Sequence, residues 1–297
     1  MNQINAGFLK EWFYIWRSFR LGGIIITFIG CALFMPMMCA LMMWIGSFED
    51  FDLLATLLSP IASLGLDVYG LESLDSIFDM YSGDSGLLMS YWGGLSMFAD
   101  TAMLIIIVLL TGTAGGEQKK RSIIIPQTAG LTPSGYVLPK FLFYPTMAFA
   151  LTMASSFFTN MVCQGVFGMS YSSQVVLITA FLTAVYVAFL VSMYMFLGIS
   201  LGQPWLAVIY VYIGNGIFAT LLPTAFRVDR YTPFNLLGIS NTLLLNEKTN
   251  NDIYSGIGSH NVFITAGVTI ALCVLLAYLA LFAVTAKKMD NTADEVY

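Results

Sequence analysis

The chain has 297 residues, 58% of them hydrophobic and only 10% charged, and its mean hydropathy is +0.80. A soluble domain of this size carries about 25% charged residues, which argues against a soluble enzyme. With 12 Lys and Arg against 17 Asp and Glu, the chain offers no basic face for nucleic acid. Cys31, Cys39, Cys163 and Cys273 all fall in or at the end of apolar runs, so no disulfide framework is present.

The first predicted element lies within residues 1–20. Phe8–Arg20 reads FLKEWFYIWRSFR. Phe8, Trp12, Ile15, Trp16 and Phe19 recur at i, i+3, i+4 spacing and line one helical face, while Lys10, Arg17 and Ser18 fall on the other. An aromatic face opposite basic residues suits an amphipathic helix lying in the headgroup layer. The plainer alternative is an aromatic belt that extends the first membrane span.

Six later stretches reach the roughly 20 apolar residues a bilayer-crossing helix needs: Leu21–Ile45, Trp92–Gly116, Leu138–Val162, Gln174–Gly198, Gln203–Pro223 and Val262–Ala286. Residues 21–297 are therefore expected to form an all-α integral membrane domain of six transmembrane helices. Pro36, Pro139 and Pro145 should kink or interrupt their helices. The fourth and fifth spans are separated by a few residues around Gly198, Gly202 and Pro204, which reads as a tight helical hairpin.

Between the first two spans, residues 46–91 contain no Lys or Arg but carry Glu49, Asp50, Asp52, Asp67, Glu72, Asp75, Asp79 and Asp84. Asp100 is the one carboxylate inside an expected span. It is either pore-facing, as a contact for a cationic group, or part of the outer interface if the second span starts later; an intramembrane acid normally faces an interior or a watery cavity. Residues 115–137 follow on the other side. A charge cluster (Glu117, Lys119, Lys120, Arg121) leads into Ser122, the aliphatic run Ile123, Ile124, Ile125, and then Leu131, Thr132 and Pro133, with Lys140 opening the third span. Residues 224–261 form a second outer segment, whose stretch Pro233–Asn246 reads as a surface helix or one that re-enters the membrane. His260 stands at the mouth of the sixth span as an interfacial residue.

The basic residues set the orientation. Lys10, Arg17, Arg20, Lys119, Lys120, Arg121, Lys140, Lys287 and Lys288 fall on one side, which is 9 of the 12. Both termini are therefore expected in the cytoplasm and the acidic loop outside, in a multi-pass cell-membrane protein. No Walker A loop is present: Gly112–Lys120, GTAGGEQKK, lacks the Gly-Lys-Ser/Thr ending and follows an apolar helix. No catalytic triad, paired catalytic carboxylates or metal-ligand cluster appears in the spans.

The order of these features resembles the type-2 ABC transporter permeases. Glu117, Lys119–Arg121, Ser122, Ile123–Ile125, Thr132-Pro133 and Lys140 match that family's cytoplasmic coupling segment in order and approximate spacing. The match is motif-like over Gly115–Phe141 and topological over the rest. Pro126 departs from the pattern by interrupting the aliphatic run, so the docking helix is either shorter than usual or begins after it. The resemblance implies an N-terminal elbow helix containing Trp12, Trp16 and Arg17, and a coupling helix formed by Glu117–Ile125 and Leu131. It also implies an exporter in which two permease subunits, as a homodimer or heterodimer, are energised by two copies of a separate ABC ATP-binding subunit. ATP and Mg would bind that partner, and this chain itself would hold no cofactor or metal. An ion-gradient-driven transporter and a non-transporting immunity or scaffold subunit are the alternatives. The first should show inverted repeats and several intramembrane charges, and the chain has neither.

Overall fold

The computed structural model of the chain describes residues 3–46, 82–113, 132–213 and 231–294, and every regular element among them is helical. In chain order these are α1 (Gln3–Arg17), α2 (Arg20–Gly46), α3 (Gly83–Leu109), α4 (Pro133–Phe167), α5 (Ser173–Leu201), α6 (Pro204–Ile213), α7 (Leu236–Lys248) and α8 (Ser259–Asp294). Five of them, α2, α3, α4, α5 and α8, are long and apolar enough to cross a membrane. The described part of the expected fifth span is α6, with ten residues; the remainder of Gln203–Pro223 lies outside the described residues.

α5 is the axis of the bundle. It packs on α4, α8 and α7 and reaches α3, while α2 closes the far side against α3 and α4. Its sequence explains the position, since apolar residues occupy nearly its whole circumference, as a helix buried on all sides requires. Four of the hydroxyls inside this apolar core are satisfied within their own helices. Thr152, Ser156, Thr159 and Thr179 each donate to the carbonyl four residues back at 2.8–2.9 Å. At Gly94 the absence of a side chain lets α3 meet α4: a Cβ there would stand 3.0 Å from Thr159 Cγ2. Such close contact through small residues is how apolar helices associate where lipid removes the hydrophobic drive.

Several expectations change in detail. α3 begins at Gly83, nine residues before the expected Trp92, so the outer loop 46–91 is shorter than expected. The early start is enforced by packing: Leu87, Ser90 and Tyr91 are buried, and the Tyr91 ring meets that of Tyr171 at 5.5 Å. Pro36, Pro139 and Pro145 do not interrupt their helices, which run through all three. α1 is not an extension of α2; the chain breaks at Ser18–Phe19, where Phe19 adopts φ +55°. The α5–α6 turn is as tight as expected. Gly202 caps α5 in the left-handed conformation at φ +66°, and Pro204 opens α6 two residues later.

α7 stands along the bundle rather than lying across its end. Phe234, just before it, packs edge-on against Phe189 of α5 at 6.0 Å. Its other end reaches the start of α5, where Glu247 accepts the Ser172 N–H at 2.7 Å. α7 therefore runs antiparallel to α5 for about 20 Å, burying Leu236, Ile239, Leu243 and Leu244.

Candidate functional site: the junction around residues 114–131

The residues expected to form the coupling helix, Glu117, Lys119, Lys120, Arg121, Ser122, Ile123, Ile124, Ile125 and Leu131, lie outside the described residues. Both of their flanks are described: α1 holds the downstream one directly, and the upstream one is joined to it through Lys140. On the downstream flank, Thr132 caps α4, its hydroxyl accepting the Gly135 N–H at 3.1 Å with Pro133 in the first turn. Gln3 of α1 reaches this cap: its Oε1 accepts from the Thr132 hydroxyl at 2.7 Å and from the Thr132 N–H at 3.3 Å. One turn along, Gly7 lies against Pro139 so closely that a Cβ would come within 2.5 Å of Pro139 Cγ. The next turn brings Glu11 to Lys140.

Glu11 and Lys140 form a buried ion pair. Lys140 Nζ donates to Glu11 Oε1 at 2.8 Å and to the Thr113 carbonyl at 3.2 Å, and it lies over the Tyr136 ring at 5.0 Å. The Tyr144 hydroxyl donates to Glu11 Oε2. Glu11 is 2% exposed, Lys140 1% and Tyr144 0%. Each carboxylate oxygen thus has a donor, the condition under which a buried pair is tolerated. Lys140 and Tyr144 sit four residues apart on one face of α4, which is why one carboxylate can meet both.

The upstream flank, the end of α3, is tied to the same cluster. Thr113 supplies the carbonyl that Lys140 grips. Arg20 donates to the Leu109 carbonyl at 2.8 Å and stacks over the Tyr14 ring at 4.8 Å. Two cations therefore cap the carbonyl end of α3, where the helix dipole favours positive charge. The sequence pattern placed Lys140 and Arg20 on the basic side as topological anchors; it did not single out Glu11, Tyr144 or Gln3. One signal was available for Glu11, which is the only acidic residue before Glu49.

The residues expected to form an elbow helix sit on the opposite side of α1. Trp12 and Trp16 are exposed and stacked at 6.2 Å, Trp12 also meets Phe143 edge-on, and Arg17 ends the helix. Ile15, expected on the aromatic face, is buried instead beside Glu11, because the inward face is set by Gly7, Glu11, Tyr14 and Ile15. Asp100 belongs to a π-helical turn, Phe98–Ala102, in the middle of α3. Its helix starts earlier than expected rather than later, so Asp100 lies about 26 Å along it. Phe98, Ala99 and Ala102 turn inward while Asp100 and Thr101 are exposed. His260 is exposed at the first turn of α8, away from both places. Among the described residues no group of three His, Cys, Asp or Glu side chains is placed to hold a metal.

Comparison with protein-family models, with curated proteins and with solved structures finds no match to this chain.

Proposed function

We propose that this chain is the membrane half of an ATP-driven ABC exporter, a permease subunit that takes its ATPase from a separate polypeptide. In this reading six helices cross the bilayer, with α6 as the described start of the fifth. Both termini are cytoplasmic, α1 is the elbow helix in the inner headgroup layer, and residues 114–131 carry the coupling helix. Two ATP-binding subunits, which hold ATP and Mg, dock beneath two permease subunits. The transported substrate belongs to the peptide, drug or lipid-like class.

One observation supports the reading: Lys140 of α4 ties the Thr113 carbonyl, on the upstream flank of residues 114–131, to Glu11 of α1, which packs against the downstream flank, in a buried ion pair. A segment that receives force from a soluble partner must pass it to the helices on either side. Here the ends of α3 and α4 are joined through Lys140 to one carboxylate on α1, so they would move together. Asp100 gives secondary support. A carboxylate exposed on a spanning helix has to be covered by protein or water, and π turns recur at functional sites. A substrate path shared with a second permease subunit would satisfy both.

The test is affinity capture of the tagged chain from native membranes, followed by mass spectrometry and ATPase assay. An ABC ATP-binding subunit with vanadate-sensitive hydrolysis is expected. Ile123→Ser with Ile124→Ser should release that subunit or uncouple hydrolysis from transport, since burying each Ile side chain is worth about 1.5–3 kcal/mol. Lys119→Ala with Lys120→Ala should do less, because rim charges act mainly on association rate. Normal capture and transport in the double Ser variant would reduce the segment to a charged anchor. Transport driven by an ion gradient without any ATPase would replace the reading altogether.

A further inference from the structure

Between α4, α5 and α8 lies a cavity of ≈ 460 Å³ that neither the junction nor Asp100 uses. Small side chains make the room. Ala188 and Ser192 of α5 and Cys273 and Ala277 of α8 line it where bulkier residues would fill it. Phe149 and Phe181 stand at one end, their rings edge to face at 5.9 Å. Leu142 and Val274 also line it and are exposed, so it opens sideways between α4 and α8.

The lining restricts what can enter. Among the described residues no ionised side chain faces the cavity, and its polar members are Thr146, Ser192 and Cys273. The Ser192 hydroxyl already donates to the Ala188 carbonyl at 2.8 Å. A peptide or a sugar would leave desolvated donors and acceptors unpaired there, whereas an alkyl chain has none. The shape is equally selective. The cavity follows α4 from Leu138 to Phe149, about 16 Å at helical rise. Spread over that length, ≈ 460 Å³ is a section of about 29 Å², roughly a third of what a helix 10–12 Å across needs. One lipid tail, by contrast, covers half of the hydrocarbon core, about 15 Å. An empty cavity would forfeit the dispersion contacts of its lining.

We infer that this cavity holds one acyl chain of a bilayer phospholipid, which enters between α4 and α8 and lies along α4. Both helices are long and apolar enough to cross a membrane, so the surrounding bilayer supplies the occupant. The inference rests on that crossing and not on an ATPase partner.

Fluorescence quenching tests it. Full-length protein with Trp12, Trp16, Trp44, Trp92 and Trp205 replaced by Phe receives a single new Trp, and is reconstituted in phosphatidylcholine with or without bromine on its acyl chains. Phe149→Trp and Phe181→Trp place the reporter in the cavity wall; Phe282→Trp places it on the exposed side of α8, outside the cavity. In brominated bilayers both wall reporters should lose most of their emission, as the Phe282→Trp control does. Ala188→Leu with Ala277→Phe fills the cavity, and should restore most of the emission of the wall reporters while the control stays quenched. Quenching of the control in the filled variant shows that α8 is still in the bilayer. Should the filled variant fail to insert, the wall reporters in the unfilled protein still decide. A wall reporter that keeps its emission while the control loses it would show that lipid does not enter, and wall quenching unchanged by an inserted filled variant would show that it comes from lipid outside the cavity. Either result overturns the inference.

Discussion

The end of the bundle that holds Glu11 and Lys140 is built differently from the end that holds Glu247 and Lys248. At the first, opposite charges are buried together and both carboxylate oxygens receive a donor. At the second, the charges do not pair with each other. Lys248 donates to the Ser85 hydroxyl at 3.1 Å, and Glu247 accepts one backbone N–H from Ser172 through Oε1. Glu247 Oε2 and the Tyr171 hydroxyl are buried without a hydrogen-bond partner among the described residues. Burial first, and then the charge of Glu247, push the Tyr171 phenol above its ordinary pKa. Polar groups left half-satisfied cost free energy that any rearrangement can recover. The contrast leads to an expectation: the junction end should resist local opening like a lock, and the opposite end should open at lower cost.

Breaking the lock should produce the largest effect. Glu11→Ala or Lys140→Ala leaves an uncompensated buried charge and should cost about 3–5 kcal/mol, read as a lowered thermal unfolding midpoint of the purified protein. Replacing both, Glu11→Leu with Lys140→Met, should recover most of that loss, because a well-packed apolar pair often substitutes for a buried ion pair without penalty. If Lys140→Ala costs no more than Lys248→Ala, the two ends are equivalent and the comparison fails.

A second test keeps the charges and disturbs the fit. Gly7→Ala drives a methyl group into Pro139. Overpacking of this kind costs about 1–3 kcal/mol, and limited proteolysis should then cut near the α1–α2 break sooner than in the parent protein.

At the opposite end the same measurements should move less. Glu247→Gln retains an oxygen to accept the Ser172 N–H and removes a buried charge, so its stability change should stay within about 1 kcal/mol. Lys248→Ala loses one hydrogen bond to a hydroxyl and belongs in the same range. Hydrogen exchange should nevertheless find faster opening around Tyr171–Val175 than around Tyr136–Tyr144 in the parent protein. Equal protection at the two places would remove the asymmetry.

Asp100→Asn should have the smallest effect on stability, within about 0.5 kcal/mol, because an exposed side chain away from special features is tolerant. Its effect should fall on transport or on substrate-stimulated ATP hydrolysis. Unchanged transport of every substrate tested would take Asp100 out of the substrate path.

Most of the helical framework was legible because its signal is local. α2, α4, α5 and α8 start and stop within a few residues of the apolar runs that define them, apart from the outward extensions of α4 and the polar tail of α8. The start of α3 was not legible. Gly83–Tyr91, GDSGLLMSY, has too many small and polar residues to register as apolar, and it is helical because Leu87 and Tyr91 pack against other elements. Of the two outcomes expected at Pro36, Pro139 and Pro145, interruption does not occur, because neighbouring helices hold α2 and α4 continuous around them. Glu11 was hidden most completely. Its partner lies 129 residues away, and periodicity alone assigned α1 an aromatic face without showing that the inward face runs through Gly7, Glu11 and Ile15. Asp100 was visible as an isolated acid, but the π turn that points it outward has no signature in the sequence.

The claim on which the account depends is that the locked end faces the cytoplasm. Cysteine accessibility in intact cells tests it directly, in a background with Cys31, Cys39, Cys163 and Cys273 replaced. Single cysteines at Ser85 and Thr249, at the opposite end of the bundle, should react with a membrane-impermeant maleimide added from outside, and a cysteine at Ser122, between the two flanks joined through Lys140, should react only after the membrane is opened. Labelling of Ser122→Cys in intact cells, with Ser85→Cys and Thr249→Cys protected, would contradict the account.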